Sequence, residues 1–111
     1  MFLNSKIILI LLLFSFLAGC SEEDIDGKIV IEYIGDWQGS VNIDRNEMTI
    51  EGNSNWEADY INPDNIKATV RKLDSSQDKL TLYIYEDERI VTGASTRDPE
   101  GSVSVEYEFP F

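Results

Sequence analysis

The sequence predicts an all-β fold: a small sandwich of about seven or eight antiparallel strands. Three observations carry that reading. Apolar and polar residues alternate along almost the whole chain after residue 28, no window carries a helical apolar stripe, and clusters of Gly, Pro, Asn and Asp break the alternation at spacings of roughly 8–12 residues. A period of two sends successive side chains to opposite faces of a pleated strand, so each alternating run defines one strand with one inward face.

The runs follow in order. Ile29, Ile31 and Tyr33 alternate with Val30, Glu32 and Ile34, giving a first strand with both faces partly apolar. Gly35-Asp36 and Gln38-Gly39 punctuate the chain around Trp37. Val41 and Ile43 alternate with Ser40, Asn42 and Asp44, and Arg45-Asn46 turns the chain into a strand with Met48 and Ile50 on one side. Gly52-Asn53-Ser54-Asn55 is loop. Trp56, Ala58 and Tyr60 form the next inward face, and Asn62-Pro63-Asp64-Asn65 is the strongest turn signal, because proline presets one dihedral while Asn and Asp tolerate unusual ones. Ile66, Ala68 and Val70 alternate with Lys67, Thr69 and Arg71. After the polar loop 74–78, Leu80, Leu82 and Ile84 face away from Thr81, Tyr83 and Tyr85. Glu86-Asp87-Glu88-Arg89 turns into Ile90-Val91-Thr92, and residues 96–101 separate this from a final face of Val103, Val105, Tyr107 and Phe109. A sandwich is expected over a ligand-holding barrel, whose strands must be long enough to enclose a cavity.

The first twenty residues follow a different plan. A short polar start with one cation, Lys6, precedes the apolar run from Ile7 to Ala18, which is shorter than the roughly 20 residues a spanning helix needs. The run ends in Leu17-Ala18-Gly19-Cys20, which resembles the bacterial lipobox. The resemblance implies cleavage between Gly19 and Cys20 and alkylation of the Cys20 thiol with diacylglycerol, with more than one acyl chain needed for a firm hold. Ser21-Glu22-Glu23-Asp24 resembles the acidic export tag of surface lipoproteins in Bacteroidota. Equally, it is a solvated tether. The expected organisation is a signal peptide over 1–19, a lipidated cysteine and acidic tether over 20–27, and a sandwich over 28–111. The expected address is the outer membrane of a bacterial envelope, with the cell-surface face favoured and the periplasmic face open.

Ile31-Glu32-Tyr33-Ile34-Gly35 followed by Gly39-Ser40-Val41-Asn42-Ile43, Trp56 after a polar loop, and the hairpin from Leu80 to Val91 together resemble the periplasmic domain of MmpS-type proteins, accessory to lipid and siderophore exporters. The likeness spans about residues 29–109 and implies an immunoglobulin-like sandwich. Asn55 stands where that family has proline before the tryptophan. Glu88 stands where its hairpin turn has glycine, so this turn either avoids a left-handed dihedral or is strained by one.

Composition narrows the chemistry. The chain has 21 acidic and 9 basic residues and a formal net charge of −12, which becomes −13 once Lys6 leaves with the signal. Phosphate backbones need clustered Lys and Arg, so nucleic acid is not an expected partner. The chain has no histidine, and its one cysteine is Cys20. Lipidation of that thiol leaves no disulfide and no thiol nucleophile. A histidine-free chain also lacks the commonest general base and transition-metal ligand. No Ser, Thr or Lys is marked out as a nucleophile–base pair. Among so many acids some pair will fall at glycosidase spacing by chance. No enzyme and no cofactor are expected.

The remaining candidates are binding features. Asp59, Asn62, Asp64 and Asn65 around the proline turn, and Asp24-Ile25-Asp26-Gly27 in the tether, offer hard oxygen ligands suited to calcium, though neither forms a twelve-residue calcium loop and turn formation accounts for the Asx residues. Trp56 sits on an inward-reading face. Trp37, between glycines, reads equally as core or as an exposed binding aromatic. Tyr83 and Tyr85 share a face opposite the leucines and form a candidate partner surface with Trp37. The expected function is that of a non-enzymatic, lipid-anchored protein docking a protein partner in the envelope or at the cell surface. An export accessory of the MmpS kind, and a small carbohydrate- or calcium-binding module, are the alternatives.

Overall fold

The computed structural model describes residues 24–110, in which eight antiparallel strands form two four-stranded sheets. The strands are β1 (Asp26–Glu32), β2 (Trp37–Ile43), β3 (Asn46–Gly52), β4 (Trp56–Ile61), β5 (Asn65–Lys72), β6 (Leu80–Glu86), β7 (Arg89–Thr96) and β8 (Ser102–Glu108). One sheet has the order β4-β1-β6-β7 and the other β3-β2-β5-β8. Two hairpins, β2–β3 and β6–β7, stay within a sheet, and every other connection crosses between sheets. The all-β sandwich expected from the alternation is the observed architecture. Sandwiches of this kind share two packed layers without sharing one strand order.

The core lies where the alternation places it. Ile29 and Ile31 on β1, Val41 on β2, Ile66, Ala68 and Val70 on β5, and Leu80, Leu82 and Ile84 on β6 are fully buried, with Val103, Val105 and Phe109 nearly so. Each aliphatic side chain removed from water in this way contributes about 2 kcal/mol. The two sides of the sandwich differ. β7 and β8 approach each other closely along one side, while β3 and β4 make no comparable approach on the other. Met48 points inward, paired with buried Val41, yet is 44% exposed.

Three expected boundaries move. The tether does not extend to Gly27: β1 starts at Asp26, and Ile25 already packs against the core. Ile25 is held there because its N–H donates to Asn62 Oδ1 at 2.8 Å and its carbonyl accepts the Asn62 N–H at 2.8 Å. β7 continues past Thr92 to Thr96, paired throughout with β6. The β2–β3 turn is Asp44-Arg45, not Arg45-Asn46, and both residues have positive φ, 52° and 74°. The β6–β7 turn repeats this with Asp87 at 50° and Glu88 at 68°. Of the two options left open for Glu88, the left-handed one is observed.

Candidate functional site

Trp37 is not a surface residue. It opens β2, is 0% exposed, and faces inward in the same register as Gly39, Val41 and Ile43. Its indole N–H donates to the Ser54 carbonyl at 2.8 Å, and its ring meets that of Trp56 edge-on at 6.2 Å. One glycine makes room for it. Gly52 lies opposite on β3, and a Cβ there would come within 2.6 Å of the indole. The candidate partner surface therefore loses Trp37, because the ring is needed inside. Trp56 is half-buried at the margin of the same core, as its alternation indicates.

Tyr83 and Tyr85 lie on the outer face of the β4-β1-β6-β7 sheet. They alternate along β6 with buried Leu82, Ile84 and Glu86. Their rings pack edge-on at 6.2 Å. Tyr83 is flanked by Val30 on β1 and Gly93 on β7, where a Cβ would sit 2.8 Å from the phenol ring. The ring thus lies over the glycine, a cross-strand arrangement in which the aromatic covers backbone. Tyr85 pairs with Lys28, whose ammonium stands 5.6 Å from the ring centroid, and with Ile90, which is 49% exposed. Ile61 at the end of β4 adds another exposed aliphatic on this face, next to Asp26, and Glu57 and Asp59 border it along β4. The result is a band of two aromatic rings, aliphatic side chains and one cation, with carboxylates along one rim.

The outer face of the other sheet is different in kind. Thr49, Ser40, Thr69 and Ser104 form one row across all four strands, with Thr69 and Ser104 hydroxyls 2.9 Å apart. The neighbouring rows are Glu51-Gln38-Arg71-Ser102 and Glu47-Asn42-Lys67-Glu106. No large apolar side chain breaks these rows. Of the two faces, the one bearing Tyr83 and Tyr85 has the aromatic and aliphatic surface that interfaces favour.

The oxygen-bearing residues around the proline turn do not converge. Asp59 points outward from β4 and pairs in register with Lys28. Asn62, at φ 52°, holds the entering chain: beyond its bonds to Ile25, its Nδ2 donates to Asp24 Oδ1 at 2.9 Å. The N–H groups of Asp64 and Asn65 donate to Asp44 Oδ1 at 2.7 and 3.0 Å, which ties the proline turn to the β2–β3 turn. Asp64 and Asn65 also border an open cleft of about 560 Å³ with Asn42, Asp44, Arg45 and Glu108. Among the described residues, no three His, Cys, Asp or Glu side chains are grouped to hold a metal ion. Cys20, Gly19 and the Ser21–Glu23 part of the acidic segment lie outside the described residues.

One buried polar cluster has no counterpart among the sequence candidates. Lys72 ends β5 fully buried. Its ammonium donates to the carbonyls of Ser76 at 2.7 Å, Asp78 at 2.8 Å and Arg97 at 3.4 Å, and stands 5.5 Å from the centre of the Tyr33 ring. The Tyr33 hydroxyl donates to Asp74 Oδ1 at 2.5 Å, and the Ser76 hydroxyl donates to the same oxygen at 3.0 Å. Burial and the Asp74 acceptor raise the Tyr33 pKa above the usual phenol value, while the Tyr33 hydrogen bond lowers that of Asp74 below the usual aspartate value. The cluster joins the β1–β2, β5–β6 and β7–β8 loops at the end of the sandwich away from Asp24. At the other end, the Tyr107 hydroxyl on β8 donates to buried Glu86 on β6 at 2.7 Å, linking the two sheets. Both arrangements are closed, with every buried donor satisfied, so they hold loops and sheets together. Comparison with known protein families, curated proteins and solved structures found no match for this chain.

Proposed function

We propose that this chain is a non-enzymatic binding protein, anchored to a bacterial envelope membrane through lipid on Cys20, that docks a protein partner on the outer face of the β4-β1-β6-β7 sheet. The observation that carries the docking is the band formed by Tyr83, Tyr85, Val30, Ile61 and Ile90 on a sheet face that no element among the described residues covers. Aromatic rings with polar tips give large contact area at small cost in side-chain entropy. The anchor rests on Leu17-Ala18-Gly19-Cys20 after an apolar run. The strongly negative mature domain would be repelled by anionic headgroups, which leaves the sheet face free for a partner.

Chemical cross-linking on intact cells tests both parts, with the wild type beside Tyr83→Ser/Tyr85→Ser and Cys20→Ala. The double tyrosine variant is expected to stay membrane-bound and folded but to lose a discrete cross-linked partner. Cys20→Ala is expected to leave the membrane fraction and take up no labelled fatty acid. An unchanged partner profile in the tyrosine variant contradicts the docking face, and a lipid-labelled, membrane-bound Cys20→Ala contradicts the anchor.

A further inference from the structure

The sandwich has four edge strands, and they are not protected equally. β7 carries a bulge where Ile84 pairs with Thr92 but Tyr85 pairs with Ile90, and it lies close against β8. Bulges and covering elements are the usual protections of a sheet edge. β3 has neither. All seven of its residues pair with β2 in unbroken register, and its other edge faces no strand among the described residues. It contains no proline. Its inward side chains are under-covered: Met48 is 44% exposed and Ile50 half-buried, on the side where β3 and β4 stay apart. A regular strand with a free edge and an uncovered apolar face is a template for one more strand.

The charges on the strand say which strand fits. Glu47 and Glu51 project from the outer face of β3, on either side of Thr49, and no cation shares that face of the strand. A second copy of this chain fits poorly. The antiparallel register that pairs the whole of β3 with itself puts Glu47 opposite Glu51 twice, and directly opposed like charges destabilise a strand pair. A strand with cations on one face and aliphatic side chains on the other fits both faces at once.

We infer that β3 is a strand-addition site for an extended segment of a partner protein in which Lys or Arg alternates with aliphatic residues. The segment's backbone completes the hydrogen-bond ladder of Asn46–Gly52. Its aliphatic side chains cover Met48 and Ile50, and its cations meet Glu47 and Glu51. The site lies on the opposite sheet from Tyr83 and Tyr85 and does not depend on that face being a docking surface.

The test uses the full-length chain in detergent and three fluorescent seven-residue peptides: alternating Lys and Val, the same sequence with every backbone amide N-methylated so that either edge is blocked, and alternating Glu and Val. The Lys-Val peptide is expected to bind and to slow amide hydrogen exchange within residues 46–52. N-methylation removes several ladder bonds and is expected to weaken binding by at least about tenfold. The Glu-Val peptide is expected not to bind the wild type but to bind Glu47→Lys/Glu51→Lys, whose substitutions are exposed and leave the fold intact. Four results would overturn the inference: no binding of the Lys-Val peptide, binding indifferent to N-methylation, protection mapped outside β3, or self-association of the protein alone that protects residues 46–52.

Discussion

Lys72 is the residue on which the loop end of this domain depends most. Its charge is fully buried and is answered by three backbone carbonyls and the face of Tyr33. Lys72→Met keeps much of the volume but leaves those carbonyls without a donor, so a loss of about 3 kcal/mol is expected in urea denaturation. The neighbouring pair makes the cluster sensitive to pH. Asp74 has a folded pKa below its ordinary value, so its contribution is fully present above about pH 4 and is lost as pH falls through the lower folded value. Tyr33 has a folded pKa above its ordinary value, so its contribution is present below about pH 10 and is lost as pH rises through the higher folded value. Melting curves of the wild type and Asp74→Asn are therefore expected to differ by a constant amount between about pH 4 and about pH 10 and to converge below about pH 4. The inward position of Lys72 was missed in the sequence, although the alternation Ile66, Ala68, Val70 continues to position 72 and could have shown it. A lysine at the end of an apolar series reads as the point where the strand leaves the core, and nothing in the sequence announces three carbonyls waiting for it. Trp37 was hidden for a related reason. The inward series Trp37, Gly39, Val41, Ile43 contains a glycine, which gives the period no signal, and the flanking glycines that suggested a turn lie against other groups, Gly35 against Tyr33 and Asp74 and Gly39 against Thr69 and Val70.

At the scale of the element, seven of the eight strands could be read from period two, β7 with its bulge shows no clean alternation, and the strand ends could not be read. Strand interiors are fixed by which face is buried, whereas ends depend on turn geometry and on hydrogen bonds from distant side chains. Asn62 holding Ile25 against the core, and thereby drawing the tether into β1, is one such bond. The two hairpin turns are another case. Asp44-Arg45 and Asp87-Glu88 both place two residues at positive φ, as a type I′ turn requires, without the glycine that would mark it. Asp44 and Asp87 gain from their positions: Asp44 accepts two N–H groups of the proline turn, and Asp87 accepts the Asp26 N–H at 2.8 Å. The second residue of each turn carries the steric cost of the left-handed region. Arg45→Gly and Glu88→Gly are each expected to raise stability by about 0.5–1 kcal/mol, the relieved strain exceeding the added freedom of the unfolded glycine. Thermal melting of each single variant checks this, and a lower melting temperature in both contradicts the turn assignment.

Across the whole molecule, the period assigns each strand a face but not a neighbour, so the strand order β4-β1-β6-β7 and β3-β2-β5-β8 was not legible in advance. Nor was the asymmetry between the closed β7/β8 side and the open β3/β4 side. Both follow from which connections cross between the layers. The order decides what each outer face displays: rows of Ser, Thr and charged residues on one sheet, and the tyrosine band on the other. It also sets orientation. The chain enters at Asp24, beside the turns at Asp44-Arg45, Asn62 and Asp87-Glu88, and the polar cluster around Lys72 is at the opposite end. Under the proposed anchor at Cys20, the tight-turn end would stand toward the membrane and both sheet faces would stand clear of it. The most direct measurement of the docking proposal is site-specific photo-cross-linking in intact cells, with the reactive side chain at position 83 on the tyrosine face and, in a second strain, at position 40 on the polar face. A discrete protein adduct from position 83 and none from position 40 is the predicted result; no adduct from position 83, or the same adduct from both, would contradict it.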